Sequence, residues 1–256
     1  MIELFPSRAI AATVFGFSIH WYGVMYFLAF LLTYLLIARF QHYRSLQLSR
    51  EQIQSILSWA ICGVILGGRL GYVVFYEPVY FLHHPLEIFA VWNGGMASHG
   101  GFIGVAIALF YALRTHQVPV LAFMDVAVIP IAVGLALGRF GNFINWELYG
   151  TVTDVPWAIA IPGVEGLRHP TFFYSMMKDL WIAAICLILL RSGRGRVGDS
   201  FALFLIMYGV LRFVVEYYRE QTYATFDLVI TALTRGQLLS VPVILIGLAL
   251  LWAIHR

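Results

Sequence analysis

Long apolar runs, separated by short polar segments, dominate this chain. Runs of about 20 apolar residues match the hydrocarbon thickness of a bilayer, and a soluble core has no need of them. The mean hydropathy is +0.83, and 61% of the 256 residues are hydrophobic. The pattern predicts an all-α, polytopic helical bundle in which residues 1–256 form a single transmembrane domain. The expected spans, about seven, are residues 21–38, 53–76, 96–113, 120–138, 172–190, 201–218 and 238–254.

Arginines in alternate loops indicate how the chain is oriented. Loops rich in arginine stay in the cytoplasm by the positive-inside rule. With about seven spans, the rule places the N-terminus outside and the C-terminus in the cytoplasm. Residues 151–169 then form a small loop or cap on the outer side. The arginines assigned to the cytoplasmic side are Arg39, Arg44, Arg50, Arg114, Arg191, Arg194, Arg196 and Arg256.

Composition excludes two classes of partner. The net charge of +3 is too small to be the electrostatic footprint of a nucleic-acid-binding protein. Cys62 and Cys186 lie far apart inside apolar runs, which predicts small buried side chains and neither a disulfide framework nor a metal site.

Residues 138–150, GRFGNFINWELYG, are polar although they follow an apolar run. A charge inside a bilayer costs at least about 2–3 kcal/mol, so a retained charge needs a partner or a purpose. Arg139 has the planar fork that suits a phosphate or a carboxylate. Asn142 and Asn145 share one helix face at their spacing of three residues. Asn142 and Glu147 either bind a ligand or orient Arg139; the alternative is a capped helix end held by a structural Arg–Glu pair.

A second motif, WNGGMASHGGFIGV at residues 92–105, places His99 among glycines near a helix start. Histidine titrates near neutral pH and therefore suits proton transfer. The glycines leave room for a lipid or for another helix. A structural histidine is the alternative interpretation.

A third motif, YGVLRFVVEYYR, places Tyr208, Arg212 and Glu216 at intervals of four residues, with Arg219 continuing the line. This spacing puts a phenol, a guanidinium and a carboxylate on one helix face. Such a face points into the protein or a polar cavity and away from lipid. An internal salt bridge that locks two helices is the alternative.

Two further residues lie near the same predicted outer face. Tyr22, in HWYGVMY, fits an aromatic belt by its pattern alone. His169, in the segment RHP that opens the fifth span, either caps the helix or contacts a head group. Together the motifs gather arginines and a candidate base near one face, which suits an anionic amphiphile because guanidinium groups match phosphate geometry.

Five segments carry a resemblance to a known family. GRFGNFINWELYG resembles the signature of the bacterial prolipoprotein diacylglyceryl transferases, and the match is nearly complete and highly specific. GGRLGYVVFY, VWNGGMASHGGFIGV, YGVLRFVVEYYR and GQLLSVP are also similar to the family, in the same order. The likeness extends from about Ile19 to the C-terminus and agrees with seven spans and an outer N-terminus.

The resemblance implies transfer of the diacylglyceryl group of phosphatidylglycerol to the lipobox cysteine thiol of a prolipoprotein. The products are a thioether-linked lipoprotein precursor and glycerol phosphate. No metal or organic cofactor is implied. The implied partners are phosphatidylglycerol, the prolipoprotein signal peptide and membrane lipids. The implied location is the bacterial inner membrane, with the active site toward the outer leaflet.

The resemblance also implies roles for the residues singled out above. His99 is the first candidate for the base that activates the thiol, and Tyr208 is the second. Arg139 and Arg212 bind the phosphate and stabilise the charge that grows on it in the transition state. Glu147 and Glu216 hold these arginines in place. The substrate-binding candidates are Tyr22, Asn142, Asn145, Glu147, Gly150, His169 and Glu216.

Three positions depart from the family pattern. Phe172 and Ser175 stand where the family commonly has Gln and Glu, and Thr151 stands where it commonly has Arg. We expect the reaction class to be retained, with an effect on the substrate preference or the activity. Two other functions are weighed against the enzyme: a divergent non-catalytic or altered-acceptor paralogue that binds anionic lipid, and a small-molecule transporter. The charges gather at one face, and the halves show no repeat of broken helices, which argues against the transporter.

Overall fold

The computed structural model describes residues 9–221, 226–227 and 232–256. The chain divides into two compact units. The first consists of Met1–Arg44 with Met124–Arg256, and the second is Ser45–Phe123. Long helices build both units, so the predicted fold class, an all-α polytopic membrane protein, is confirmed.

A helix coincides with each of the seven segments predicted to span the membrane. One additional short helix, α3, lies between the second and third of them. The bounds are α1 Trp21–Phe40, α2 Arg50–Phe75, α3 Pro78–His83, α4 Ser98–Thr115, α5 Val120–Asn145, α6 Thr171–Ser192, α7 Asp199–Glu216 and α8 Arg235–His255.

Five of these helices are long and apolar enough to cross a membrane: α1, α2, α5, α6 and α8. The apolar part of α4 is shorter, at His99–Thr115. Helix α7 carries Asp199 in its first turn, and Arg212 and Glu216 near its end. The chain is therefore a multi-pass membrane protein, and the number of spans and their orientation stay predictions.

Short strands form three two-stranded antiparallel pairs in the described residues. The first pair is a hairpin that leads directly into α1, and the second lies in the segment before α6. The third precedes α8. The bounds are β1 Ile10–Val14, β2 Phe17–His20, β3 Ile159–Ala160, β4 Leu167–Arg168, β5 Phe226–Asp227 and β6 Ala232–Leu233.

Side chains at helix ends explain where two of the helices begin. The Ser49 hydroxyl accepts a hydrogen bond from the backbone N–H of Gln52, whose side chain accepts one from Ser49 N–H in return. Thr234 and Gln237 form the same reciprocal pair at the start of α8. Each pair satisfies two backbone donors that the helix leaves without an internal partner.

Glycines let α2 and α4 pack backbone to backbone within the second unit. A Cβ on Gly63 would lie 2.7 Å from the Cβ of Ala108, and one on Gly71 would lie 2.8 Å from the Cα of Gly100. Small residues at such a contact allow helices in lipid to approach closely and gain packing energy. The glycines around His99 therefore accommodate another helix, which was one of the two predicted uses.

A buried carboxylate fixes the helix ends at the opposite side of the first unit from residues 138–150. Asp125, which is fully buried, accepts hydrogen bonds from Arg44 Nε at 2.6 Å, from Gly198 N at 2.7 Å and from Phe201 N at 2.9 Å. One side chain thus ties the end of α1 to the start of α7. Because the carboxylate is paired and hydrogen-bonded, it meets the condition for a stable buried charge.

Candidate active site

The polar signature lies at the end of helix α5. Arg139, Asn142 and Asn145 occupy one face at intervals of three residues, and the helix ends at Asn145. Trp146 and Leu148 then adopt positive φ angles of 56° and 55°. Left-handed backbone at bulky residues is uncommon, and it turns the chain sharply out of the helix here. The helix therefore continues to Asn145, beyond the end of the predicted span at residue 138.

A chain of hydrogen bonds connects Glu147 to Arg139 through two neutral side chains. Tyr22 of α1 donates its hydroxyl hydrogen to Glu147 Oε2 at 2.6 Å. The same hydroxyl accepts a short hydrogen bond from Asn142 Nδ2. The Asn142 carbonyl oxygen accepts from Arg139 Nη1 at 3.3 Å. Glu147 is thus linked to Arg139 through Tyr22 and Asn142, and its orienting effect on Arg139 stays a prediction.

A second group of charges lies on the polar face of α7 and just beyond its end. Glu216 Oε2 lies 3.7 Å from Arg212 Nη2 and 3.7 Å from Arg219 Nη1. Gly236 of α8 makes room for this carboxylate, because a Cβ there would lie 2.5 Å from Glu216 Cδ. Arg212 and Glu216 lie on α7, and Arg219 lies just beyond its end. A single buried carboxylate therefore holds two guanidinium groups near each other.

Burial lowers the pKa of the Arg219 guanidinium from its ordinary value. Glu216 opposes this shift, while the positive charges of Arg212 and Arg139 add to it. The positive charges of Arg212 and Arg139 thus act against that of Arg219.

Helix α6 contributes a further charged pair to this region. Lys178 forms an ion pair with its neighbour Asp179, and the Lys178 ammonium lies 4.4 Å from the centre of the Tyr208 ring. Arg139 and Arg212 both interact electrostatically with the two members of the pair. The pair therefore lies within electrostatic range of arginines on two separate helices, and the convergence of Arg139 and Arg212 on one site stays a prediction.

Sequence analysis missed Lys178 and Asp179 as site residues. One signal was available: Lys178 is the one lysine of the chain, and it lies inside an apolar helix. Such a charge is costly in a membrane and marks a functional position by default. Its neighbours in space come from α5 and α7, and helix periodicity within α6 does not reveal them.

Seven charged side chains described above form a polar network. Four are cationic and three are carboxylates, which gives these seven a net charge of +1 when all are ionised. A single negative charge, such as that of a phosphodiester, would neutralise these seven side chains. The members are Arg139, Lys178, Arg212 and Arg219, with Glu147, Asp179 and Glu216.

Gly150 lies where three chain segments cross. Its N–H donates to the carbonyl of His169 at 2.9 Å, and the Thr151 N–H donates to the carbonyl of Tyr218 at 3.0 Å. A Cβ on Gly150 would lie 2.5 Å from the Cβ of His169 and would also overlap the Tyr218 carbonyl oxygen. Glycine is therefore required here so that the segments after α5 and α7 can meet.

Replacing Gly150 with alanine is expected to destabilise the protein by about 2–4 kcal/mol, because the added methyl group must push apart backbone that is held by hydrogen bonds. Thermal unfolding of the purified protein in detergent checks this. Gly138→Ala is the matched control: a Cβ there meets nothing within 4 Å, and alanine favours a helix by up to about 1 kcal/mol. Equal melting temperatures for the two variants would contradict the assignment.

His169 lies in an aromatic cluster at the base of the segment 151–169. Its Nδ1 is 3.1 Å from the Tyr174 hydroxyl, which accepts a hydrogen bond from Trp157 Nε1 at 2.7 Å. The His169 ring also contacts Tyr218, with ring centres 5.1 Å apart. His169 therefore connects the segment 151–169 to α6 and to the chain beyond α7.

Comparison with known proteins identifies the family. The family model described as prolipoprotein diacylglyceryl transferase matches residues 9–253. The chain belongs to the prolipoprotein diacylglyceryl transferase family. Similar proteins include the phosphatidylglycerol–prolipoprotein diacylglyceryl transferases of Geobacter sulfurreducens, Nitrosomonas europaea and Dechloromonas aromatica. The first is 44% identical over 241 residues, covering 92% of this chain and 91% of that protein. The second is 41% identical over 251 residues, covering 96% of this chain and 90% of that protein. The third is 44% identical over 253 residues, covering 96% of this chain and 95% of that protein.

Three residues of this transferase differ from the expected family pattern, and each of them has a packing or hydrogen-bonding role. Phe172 is almost completely buried, with its ring centre 5.2 Å from that of Phe143 and 6.3 Å from that of Trp146. Ser175 is buried on the same helix. Thr151 donates and accepts the backbone hydrogen bonds of the crossing at Gly150. Phe172 thus packs with aromatic side chains of residues 138–150 in a small aromatic core.

The second unit of this transferase contains His99 and Arg69. His99 is exposed and lies in the first turn of α4. The Arg69 guanidinium donates to the backbone carbonyls of Ile88, Gly94, Gly95 and Glu87, at 2.5–3.2 Å. Arg69 therefore stabilises the segment between α3 and α4.

Proposed function

We propose that this chain transfers the diacylglyceryl group of phosphatidylglycerol to the lipobox cysteine of prolipoproteins, as a phosphatidylglycerol–prolipoprotein diacylglyceryl transferase. The names of its relatives give both substrates. Family membership over residues 9–253 supports the transferase activity. The proposal adds the lipobox thiol as acceptor, a thioether and glycerol phosphate as products, and the residues that act.

The meeting of guanidinium groups from two helices carries the proposal. Arg139 on α5 and Arg212 on α7 interact electrostatically with the same buried lysine–aspartate pair. Guanidinium groups bind phosphate with two parallel hydrogen bonds, and a low-dielectric surrounding strengthens these bonds. A network with an excess of one positive charge suits a lipid that has one phosphodiester.

The proposed reaction is a displacement at carbon. The acceptor thiol loses its proton to a base, and the thiolate sulfur forms a bond to the terminal glyceryl carbon of the diacylglyceryl group. The bond between that carbon and the phosphate oxygen breaks, and its electron pair remains on the oxygen of glycerol phosphate. Arg139 and Arg212 stabilise this developing charge, which is commonly the largest contribution in such reactions.

His99 and Tyr208 are the two candidates for the base. A free thiol has a pKa of about 8.5, so most of it is protonated at neutral pH. Imidazole is the most frequent general base in enzymes, so His99 is the first candidate. Tyr208 is half-buried, stacks on Phe204 and faces Lys178. A tyrosine in that position is better suited to shaping the phosphate site.

The other residues of the site shape the place where the head group of phosphatidylglycerol binds. Glu147 fixes Tyr22 and Asn142 against Arg139, and Glu216 restrains Arg212. Asn145 shares a helix face with Asn142. Gly150 and His169 position the surrounding backbone. The substrate-binding set is therefore Tyr22, Asn142, Asn145, Glu147, Gly150, His169 and Glu216.

We also propose a location and a topology. The enzyme acts in the bacterial inner membrane as one transmembrane domain of seven spans, with the site toward the outer leaflet and residues 151–169 as a cap on that side. The arginine-rich loops support this orientation. A family match that runs through both compact units supports a single functional domain.

Incubation with phosphatidylglycerol vesicles and a lipobox peptide tests the function. We expect mass spectrometry to show one diacylglyceryl increment on the peptide cysteine, and release of glycerol phosphate in equal amount. A peptide with serine in place of the cysteine is the matched control and should stay unmodified. An unmodified cysteine peptide, from protein that binds the lipid, would reject the enzyme and favour a non-catalytic lipid-binding protein.

A further inference from the structure

The pair Lys178–Asp179 is buried deep within helix α6. Their side chains are 6% and 1% exposed, respectively. They lie seven and eight residues after Thr171, the first residue of α6, which is about 10–12 Å along the helix. An apolar pair of similar volume is often as stable as a buried ion pair, so packing alone does not explain why charges are kept there.

Among the described residues, one atom of the pair has no hydrogen-bond partner. Asp179 Oδ1 accepts from Lys178, whereas the buried Asp179 Oδ2 accepts from none of them. Leaving a buried acceptor unsatisfied costs about 1–3 kcal/mol, and more for a charged group. Such an atom calls for an explanation, and a ligand donor is one.

The surroundings of the pair indicate which ligand would supply that donor. The Lys178 ammonium lies 4.4 Å from the centre of the Tyr208 ring, and Tyr208 is one helical turn from Arg212 on α7. The pair therefore adjoins the proposed phosphate site. A glycerol head group carries hydroxyl groups directly beside its phosphate. A hydroxyl donates a hydrogen bond, and a carboxylate can only accept one.

We propose that Lys178 and Asp179 form the glycerol subsite of the head-group site. The Lys178 ammonium joins Arg139 and Arg212 on the lipid phosphate, and the Asp179 carboxylate accepts a hydrogen bond from a head-group hydroxyl. This inference rests on the proposed transferase function and adds head-group selectivity to it. Lys178 and Asp179 neutralise each other in the ion pair, and the lipid exchanges that ion pair for two contacts of its own.

Phosphatidylpropanol is the probe for hydroxyl recognition, because it has the same phosphodiester charge as phosphatidylglycerol but no head-group hydroxyl. We expect kcat/KM for peptide modification by the full chain in nanodiscs to be about 10–100-fold higher with phosphatidylglycerol, as for one hydrogen bond to a charged group. Equal values for the two lipids would overturn the proposal.

Two variants separate the roles of the two residues. Lys178→Met should lower kcat/KM about 10-fold with both lipids and leave their ratio unchanged, since it weakens only phosphate binding. Lys178→Met combined with Asp179→Leu should also bring the ratio close to 1, because no carboxylate accepts the hydroxyl. A double variant that keeps the full ratio, or a Lys178→Met variant with unchanged rates, would overturn the assignment.

Folding and the parent function are controlled separately. Asp199→Asn neutralises another buried carboxylate, one that contacts His255 at 2.8 Å, and should keep the lipid ratio. If the double variant does not fold, Asp179→Asn replaces it, and the ratio should fall about 3–10-fold because a neutral acceptor is weaker; an unchanged ratio would count against the proposal. If the unmutated protein modifies no peptide, the transferase function is rejected, and the subsite is tested by binding alone. Calorimetry then compares the affinities for glycerol 1-phosphate and propyl phosphate. We expect tighter binding of glycerol 1-phosphate, and equal affinities would overturn the subsite.

Discussion

Replacing Arg139 or Arg212 with alanine is expected to lower the rate of diacylglyceryl transfer at least about 100-fold. Each guanidinium is placed to bind the phosphate that leaves with the C–O electron pair, and removing one preorganised donor from such a charge typically costs about 10²–10³ in rate. The measurement is the initial rate of lipobox peptide modification at saturating phosphatidylglycerol. Lysine in place of either arginine should restore part of the rate, because it keeps the charge and loses the fork.

Arg194→Ala is the matched control for both variants. Arg194 is exposed and follows the far end of α6, away from residues 138–150. Its removal should leave the rate within about twofold, since surface substitutions rarely disturb distant sites. Full activity in Arg139→Ala or Arg212→Ala would reject the phosphate-binding role of that residue.

Replacing His99 with glutamine is expected to lower kcat about 100-fold while lipid affinity changes little. Glutamine keeps the polar character and approximate size but accepts no proton, and a positioned general base contributes about 10²–10⁴-fold.

His83→Gln is the control for this variant, because His83 is also exposed and belongs to the same unit. It should keep the rate of the unmutated enzyme. An unchanged kcat in His99→Gln would remove His99 from the base role. Tyr208→Phe would then be the next variant, and a loss of at least about 100-fold in its rate would assign the base to Tyr208.

Features that repeat along one helix were predictable from sequence. Arg139, Asn142 and Asn145 lie on one face of α5, and Arg212 and Glu216 lie on one face of α7, as the intervals of three and four residues indicate. The polar segment after the apolar run placed the end of the span at residue 138, whereas α5 continues to Asn145. Helix geometry is local, so a single sequence contains the information.

Features that depend on contacts between distant segments were not predictable. Tyr22 fits an aromatic belt by pattern, yet its hydroxyl contacts Glu147, 125 residues further along the chain. Lys178 stands out in the sequence as the one lysine of the chain, but the sequence does not indicate its neighbours on α5 and α7. The crossing at Gly150 joins segments that only tertiary structure brings together. No periodicity within a helix records which helices become neighbours.

An experimental structure of the full chain with bound phosphatidylglycerol tests the central claim most directly. The decisive quantity is the distance from the phosphate oxygens to the guanidinium nitrogens of Arg139 and Arg212. The account predicts that both arginines lie within hydrogen-bond distance of the same phosphate group, at about 2.7–3.0 Å. A phosphate that is bound away from either arginine, while the enzyme in the same preparation is active, would contradict it.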